Sequence, residues 1–96
     1  MPIDILGNEI FTQTLSGVET LTITEDDGVG VISVLCTSST AVQITGGATI
    51  DGKASEVIEV GENNSITISA NTGASLGTLT ITAPSGCTAI VVANQG

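Results

Sequence analysis

Thr-Leu-Thr-Ile-Thr occurs at Thr20–Thr24 and again at Thr78–Thr82. Strict alternation of hydroxyl and aliphatic side chains places one kind on each face of an extended strand, whereas a helix buries a residue every third or fourth position. The same period of two runs through Val42–Thr45 and Ser65–Ser69. Val57–Val60 and Ile10–Leu15 are shorter instances. Val29–Cys36 and Thr88–Val92 are more continuously apolar, the pattern of central strands covered on both sides. Between these segments stand turn formers: Asp26-Asp27-Gly28, Gly46-Gly47, Asp51-Gly52, Gly61-Glu62-Asn63-Asn64, Asn71-Thr72-Gly73 and Pro84-Ser85-Gly86. No stretch carries a helical repeat, and the 15 threonines favour strands. The expected fold is all-β: a small antiparallel β-sandwich or barrel of seven to eight short strands. Residues 1–96 form a single domain, with 1–9 as an extended N-terminal arm.

The repeat extends beyond five letters. Thr20–Val34 (TLTITEDDGVGVISV) aligns without gaps on Thr78–Val92 (TLTITAPSGCTAIVV), placing Gly28 on Gly86, Ile32 on Ile90 and Val34 on Val92. Each copy reads as a β-hairpin: a strand, a turn ending in a glycine suited to positive φ, and a more apolar strand. The two hairpins either lie on facing sheets or pair within one.

Ten acids oppose a single base, Lys53, for a net charge of −9. Nucleic-acid binding needs cations for phosphates and aromatic rings for bases, and this chain is poor in both. Anionic membranes are disfavoured for the same reason. The only aromatic residue is Phe11. A core of Ile, Val, Leu and Ala buries less area per residue, so the folded unit is expected to gain stability by homo-oligomerising. The first eleven residues contain acids and no base, so they do not read as a secretory signal, and folding in a cytoplasm is expected.

Catalytic and metal chemistry find little to work with. Histidine is absent, which removes the usual base for the many Ser and Thr hydroxyls. Lys53 follows Asp51-Gly52 and reads as part of an exposed hairpin turn. Glu56, Glu59, Glu62 and Asp51 offer paired carboxylates, without the aromatic platforms that glycosidases use to grip sugars. Glu25-Asp26-Asp27-Gly28 is the densest acidic cluster, but its spacing is not that of a calcium loop, and a turn explains it equally well. Gly28-Val29-Gly30 and Gly46-Gly47 precede no helix and so form no phosphate loop. Cys36 and Cys87 lack metal-ligand spacing and read as buried, reduced small hydrophobes. A disulfide between them is the alternative, which a cytoplasmic origin disfavours. The T-x-T faces resemble the threonine ladders of ice-binding proteins, but only two copies occur, and an outward sheet face accounts for them. No catalytic, cofactor or metal residue is therefore assigned, and the chain is expected not to be an enzyme.

The segment Ile50–Val92 resembles small, acidic, Thr/Gly/Ala-rich all-β proteins of tailed-bacteriophage virions. The shared features are a DGxAS turn (Asp51–Ser55), a GxxxSITI stretch (Gly61–Ile68) and an LTITAPSGC ending (Leu79–Cys87). The resemblance implies a non-enzymatic structural part of the particle: a capsid decoration or cement protein, a head-fibre protein or a tail component. It also implies other virion proteins as partners and a virion location after synthesis in the host cytoplasm. It transfers no functional residues, because such proteins act through whole surfaces. The alternative reading is a receptor- or carbohydrate-binding β-sandwich module of an adhesin or tail.

Overall fold

The structure is a computed structural model and describes residues 9–71 and 73–95. Of the expected N-terminal arm, all but Glu9 lies outside them. All eight expected strands are present with ends shifted by no more than about two residues. They are β1 (Phe11–Ser16), β2 (Glu19–Ile23), β3 (Val31–Cys36), β4 (Val42–Gly46), β7 (Ile58–Val60), β8 (Ser65–Ser69), β9 (Leu79–Ala83) and β10 (Thr88–Asn94). Two further two-residue strands, β5 (Thr49–Ile50) and β6 (Lys53–Ala54), flank Asp51-Gly52. Among the described residues the only helical element is a 3-10 turn at Glu25–Asp27.

Two four-stranded sheets face each other, in the orders β1-β10-β3-β8 and β2-β9-β4-β7, with every pairing antiparallel. The chain is in effect one long hairpin. Thr49 pairs with Ala54, Val42 with Val60, Val31 with Ser69, Glu19 with Ala83 and Phe11 with Ala93, so each pair straddles the Asp51-Gly52 tip nearly symmetrically. Asp51 and Gly52 both have positive φ (54° and 76°), as the tightest hairpin turns require. This hairpin is rolled up and closed by two further pairings, β10 with β3 and β9 with β4. Eight main strands rolled into two sheets in this order form a jelly roll.

The repeated segments do not form hairpins. β2 and β3 lie in different sheets, as do β9 and β10, so each copy is an arch that crosses the sandwich. Period-two alternation marks which side chains face the core, but an arch and a hairpin present the same inward phase. The glycines keep their expected role, with φ of 73° at Gly28 and 85° at Gly86. The arches pair with each other in both layers, and Thr22 and Thr80, equivalent in the two copies, are direct cross-strand partners. The gapless alignment fails in the other layer. Ile32 and Val34 are buried, whereas their aligned counterparts Ile90 and Val92 are exposed. Val29 and Cys87, aligned and both buried, are followed by inward residues at Ile32 and Ala89, so the first copy carries one extra residue there. The structural equivalents are Val34 and Val91, which pair directly.

The core is aliphatic. Ile23, Ile32, Ile44, Ile81, Val29, Val34, Val42, Val91, Cys36 and Cys87 are its largest fully buried side chains, and Phe11 packs at its edge. Gly46-Gly47 does not reverse the chain. It passes beside β9, where a Cβ on Gly47 would stand 3.0 Å from Thr78 Cβ, and the hairpin continues through it.

Candidate functional surfaces

The outer face of β2-β9-β4-β7 is polar. Its cross-strand rows are Thr20–Thr82–Gln43–Glu59 and Thr22–Thr80–Thr45. The two T-x-T copies are thus neighbours in one array rather than isolated. Gln43 Nε2 donates to Glu59 Oε2 at 3.4 Å. At the end of this array an open hollow of about 380 Å³ is lined by Thr24, Glu25, Gly47, Ala48, Gly77 and Thr78, with the Glu25 carboxylate as its one ionisable side chain.

The opposite face, of β1-β10-β3-β8, is different in kind. None of its four strands contains a charged residue. Its rows read Thr12–Val92–Ser33–Thr67 and Thr14–Ile90–Leu35–Ser65. Leu35, Ile90 and Val92 are 37%, 36% and 38% exposed, at the middle of the face. β3 and β10 are therefore central strands, as their apolar sequences imply, but the described residues cover them on one side only. Ser33 Oγ and Thr67 Oγ1 share a hydrogen bond of 2.8 Å on this face.

The acidic positions are dispersed. Among the described residues no group of three or more Asp, Glu, Cys or His is arranged to hold a metal ion. In the Glu25–Asp27 turn, Asp27 is 4% exposed and Asp27 Oδ2 accepts a hydrogen bond from Thr24 N (2.8 Å), so this carboxylate closes its own turn. Glu59 stands on β7 with its carboxylate toward Gln43, while Glu56 and Glu62 lie in the exposed segments on either side of it. Asp51 and Lys53 are at the exposed hairpin tip, beside an open hollow of about 440 Å³ lined by Ala48, Ile50, Asp51, Lys53, Ala54 and Ser55.

Both cysteines are free and buried at one end of the sandwich. Cys36 Sγ donates to the carbonyls of Ser38 and Thr40, each at 3.3 Å. Ser38 Oγ accepts from Thr88 N (2.8 Å) and donates to Thr40 O (2.9 Å), tying the β3–β4 connection to the start of β10. Burial pushes the Cys87 thiol up from its ordinary pKa; the nearby Cys36 adds to the rise and a hydrogen bond with Ser38 opposes it. The pairing of cysteine with backbone carbonyls and the half-buried Ser38 hydroxyl could not be read from sequence spacing, because it depends on how the arches meet.

Comparison with protein-family models, with curated proteins and with solved structures returns no match.

Proposed function

We propose that this chain is a non-enzymatic structural protein of a tailed-bacteriophage particle, a capsid decoration, cement or head-fibre protein that binds other virion subunits. The observation that carries the reading is the jelly-roll roll-up of the chain. This architecture recurs in viral capsid domains, and here its extended features are sheet faces and a projecting hairpin. The step from fold to function is by analogy, since jelly rolls also serve as lectins and cupins. The Ile50–Val92 resemblance to small phage virion proteins supports the same reading, and so does the dispersal of the carboxylates over turns and edges. A lectin would need a sugar-gripping surface, and the single aromatic residue, Phe11, is packed at the core edge.

The test is to purify particles of the encoding phage by density gradient and measure this chain by quantitative mass spectrometry, then locate it in a cryo-electron-microscopy map. The expected result is a fixed copy number per particle and density fitting two four-stranded sheets. Absence from washed, infectious particles overturns the proposal. Specific retention on a glycan array by such an absent chain would favour the adhesin module.

A further inference from the structure

We infer that the charge-free outer face of β1-β10-β3-β8 is the seat of a second copy of this chain, with two such faces apposed. The proposal deepens the virion reading and rests on it only for the crowded setting in which copies meet.

Two observations select the occupant, and a third sets how tightly it binds. The chain carries −9, so two copies repel one another wherever their acids approach. The described acids lie elsewhere: in turns, on the projecting hairpin, just before β1, and on β2 and β7 of the other sheet. The face of β1-β10-β3-β8 is thus where two copies come together with least repulsion. It offers a basic partner little attraction, because the one carboxylate held against its strands is that of Glu19, at the end of β1, where it accepts from Ser16 N (2.7 Å). The second observation is the sequence of β3 and β10, whose near-continuous apolar runs are those of strands buried on both sides, although the described residues cover only the inner side. The outward Leu35, Ile90 and Val92 sit mid-face, with Thr12, Thr14, Ser65 and Thr67 around them. An apolar centre with an uncharged polar rim is the anatomy of an interface.

The third observation is size. Four strands about 4.8 Å apart and about six residues long at about 3.3 Å each span roughly 400 Å². Two apposed faces then bury on the order of 800 Å², below the range of stable interfaces. The dimer is accordingly weak in dilute solution, with a Kd in the micromolar range or above. It becomes populated where neighbouring subunits hold copies close together. Packing would follow sheet-on-sheet geometry, with the mean planes about 10 Å apart.

The experiment is sedimentation velocity on the full chain over a wide concentration series, at low and high salt. The expected result is a mass rising from 9.5 kDa toward twice that value. Association should strengthen with salt, because screening removes acid–acid repulsion and leaves the apolar contact. Leu35→Asp and Val92→Asp each place a carboxylate at the centre and should weaken association by at least ~10-fold. Thr20→Asp makes the same charge change on the other sheet and should leave it within ~2-fold of the parent at high salt. Should an Asp variant not fold, Val92→Thr, which keeps the shape and strand preference, should still weaken association measurably. A monomer at every concentration and both salts overturns the inference, as does equal weakening by Thr20→Asp. If the chain stays monomeric but Leu35→Asp blocks its incorporation into particles, the face belongs to a different subunit and the second-copy proposal fails. If the chain self-associates through this face but is absent from particles, the virion reading fails and the inference stands.

Discussion

The two outer faces of this sandwich are built by the same chain with the same period, yet they differ in what alternates. On β2 and β9, Thr stands at the outward positions and Leu or Ile at the inward ones, so one face is wet and the other dry. On β3 and β10, Leu35, Ile90 and Val92 occupy outward positions while Val34, Ala89 and Val91 point inward. The pairing of each strand is equally regular, so hydrogen bonding does not account for the difference. It lies in the side chains that an isolated chain presents to water. Outward threonine meets the demands of a half-buried strand. Outward Leu, Ile and Val leave over a third of their surface in water, so covering them would bury further apolar area.

The largest expected effect separates inside from outside on a single strand. Ile32 is fully buried, so Ile32→Ala should cost about 2–5 kcal/mol by transfer and cavity terms. Ile81→Ala, under the other sheet, should cost a similar amount, because the two layers share one core. Leu35→Ala, outward on the same strand as Ile32 and 37% exposed, should cost less, on the order of 1–2 kcal/mol in dilute solution. Urea unfolding at low protein concentration measures all three. A Leu35→Ala loss as large as that of Ile32→Ala would show the outer face already covered within the monomer.

The arches that join the two layers come next. Gly86 has φ of 85°, and a Cβ there would lie 3.2 Å from Thr40 Oγ1, whereas Gly52 at the hairpin tip has φ of 76° and open space around it. Both Gly→Ala changes incur the cost of a left-handed backbone, about 1–2 kcal/mol. Gly86→Ala should exceed Gly52→Ala, because Thr40 must also move. Thermal unfolding of the two variants ranks them, and equality would mean that the arch end yields freely.

A pH dependence belongs to the same region. Burial raises the Cys87 pKa in the folded chain above its ordinary value of 9.0. Below that value the thiol is neutral in both states and its contribution is fully present. As pH rises past it, the unfolded chain loses the proton first, so stability falls until the folded thiol also ionises. The slope contributed is at most about 1.4 kcal/mol per pH unit. With no His or Tyr in the chain, few other groups titrate there. Stability measured under reducing conditions as pH is raised from below to well above 9.0 should decline in the parent, and Cys87→Ala should flatten the decline. An unchanged slope in that variant would assign the effect elsewhere.

Much of this molecule was legible in its sequence. Thr-Leu-Thr-Ile-Thr and its relatives located eight strands, and Asp51-Gly52-Lys53 read as an exposed hairpin turn, though nothing marked it as the tip about which the whole chain folds back. The partner of each strand was not legible. Gly28 and Gly86 mark chain reversals, and a reversal into the same sheet leaves the same letters as one into the opposite sheet. The one-residue difference between the arches was hidden for a related reason, since Val29-Gly30-Val31-Ile32 offers apolar residues in either phase. The charge-free face was also obscured. Its rows draw on four strands scattered from Phe11 to Asn94, and no single segment reveals that all four lack charge.

The smallest expected effects test the two faces through their polar pairs. Ser33 and Thr67 share a 2.8 Å hydroxyl contact on the charge-free face, and Gln43 donates to Glu59 at 3.4 Å on the polar one. In a dilute monomer both pairs border water, so Ser33→Ala and Gln43→Ala should each change stability by no more than about 0.5 kcal/mol. Covering the first face alters that equality. Thr67, on the edge strand β8 at the rim, would then lose its partner in a partly dried setting, at a cost below the roughly 1–3 kcal/mol of a fully buried unsatisfied hydroxyl. Gln43→Ala has no such consequence, because its face stays in water. Measured at high concentration and high salt, Ser33→Ala should therefore weaken self-association while Gln43→Ala leaves it unchanged. The double variant Ser33→Ala, Thr67→Ala should recover much of the loss, since neither hydroxyl then remains unpaired. Equal behaviour of the two single variants under those conditions would mean that the outer face of β1-β10-β3-β8 is as wet in the assembly as in the free chain.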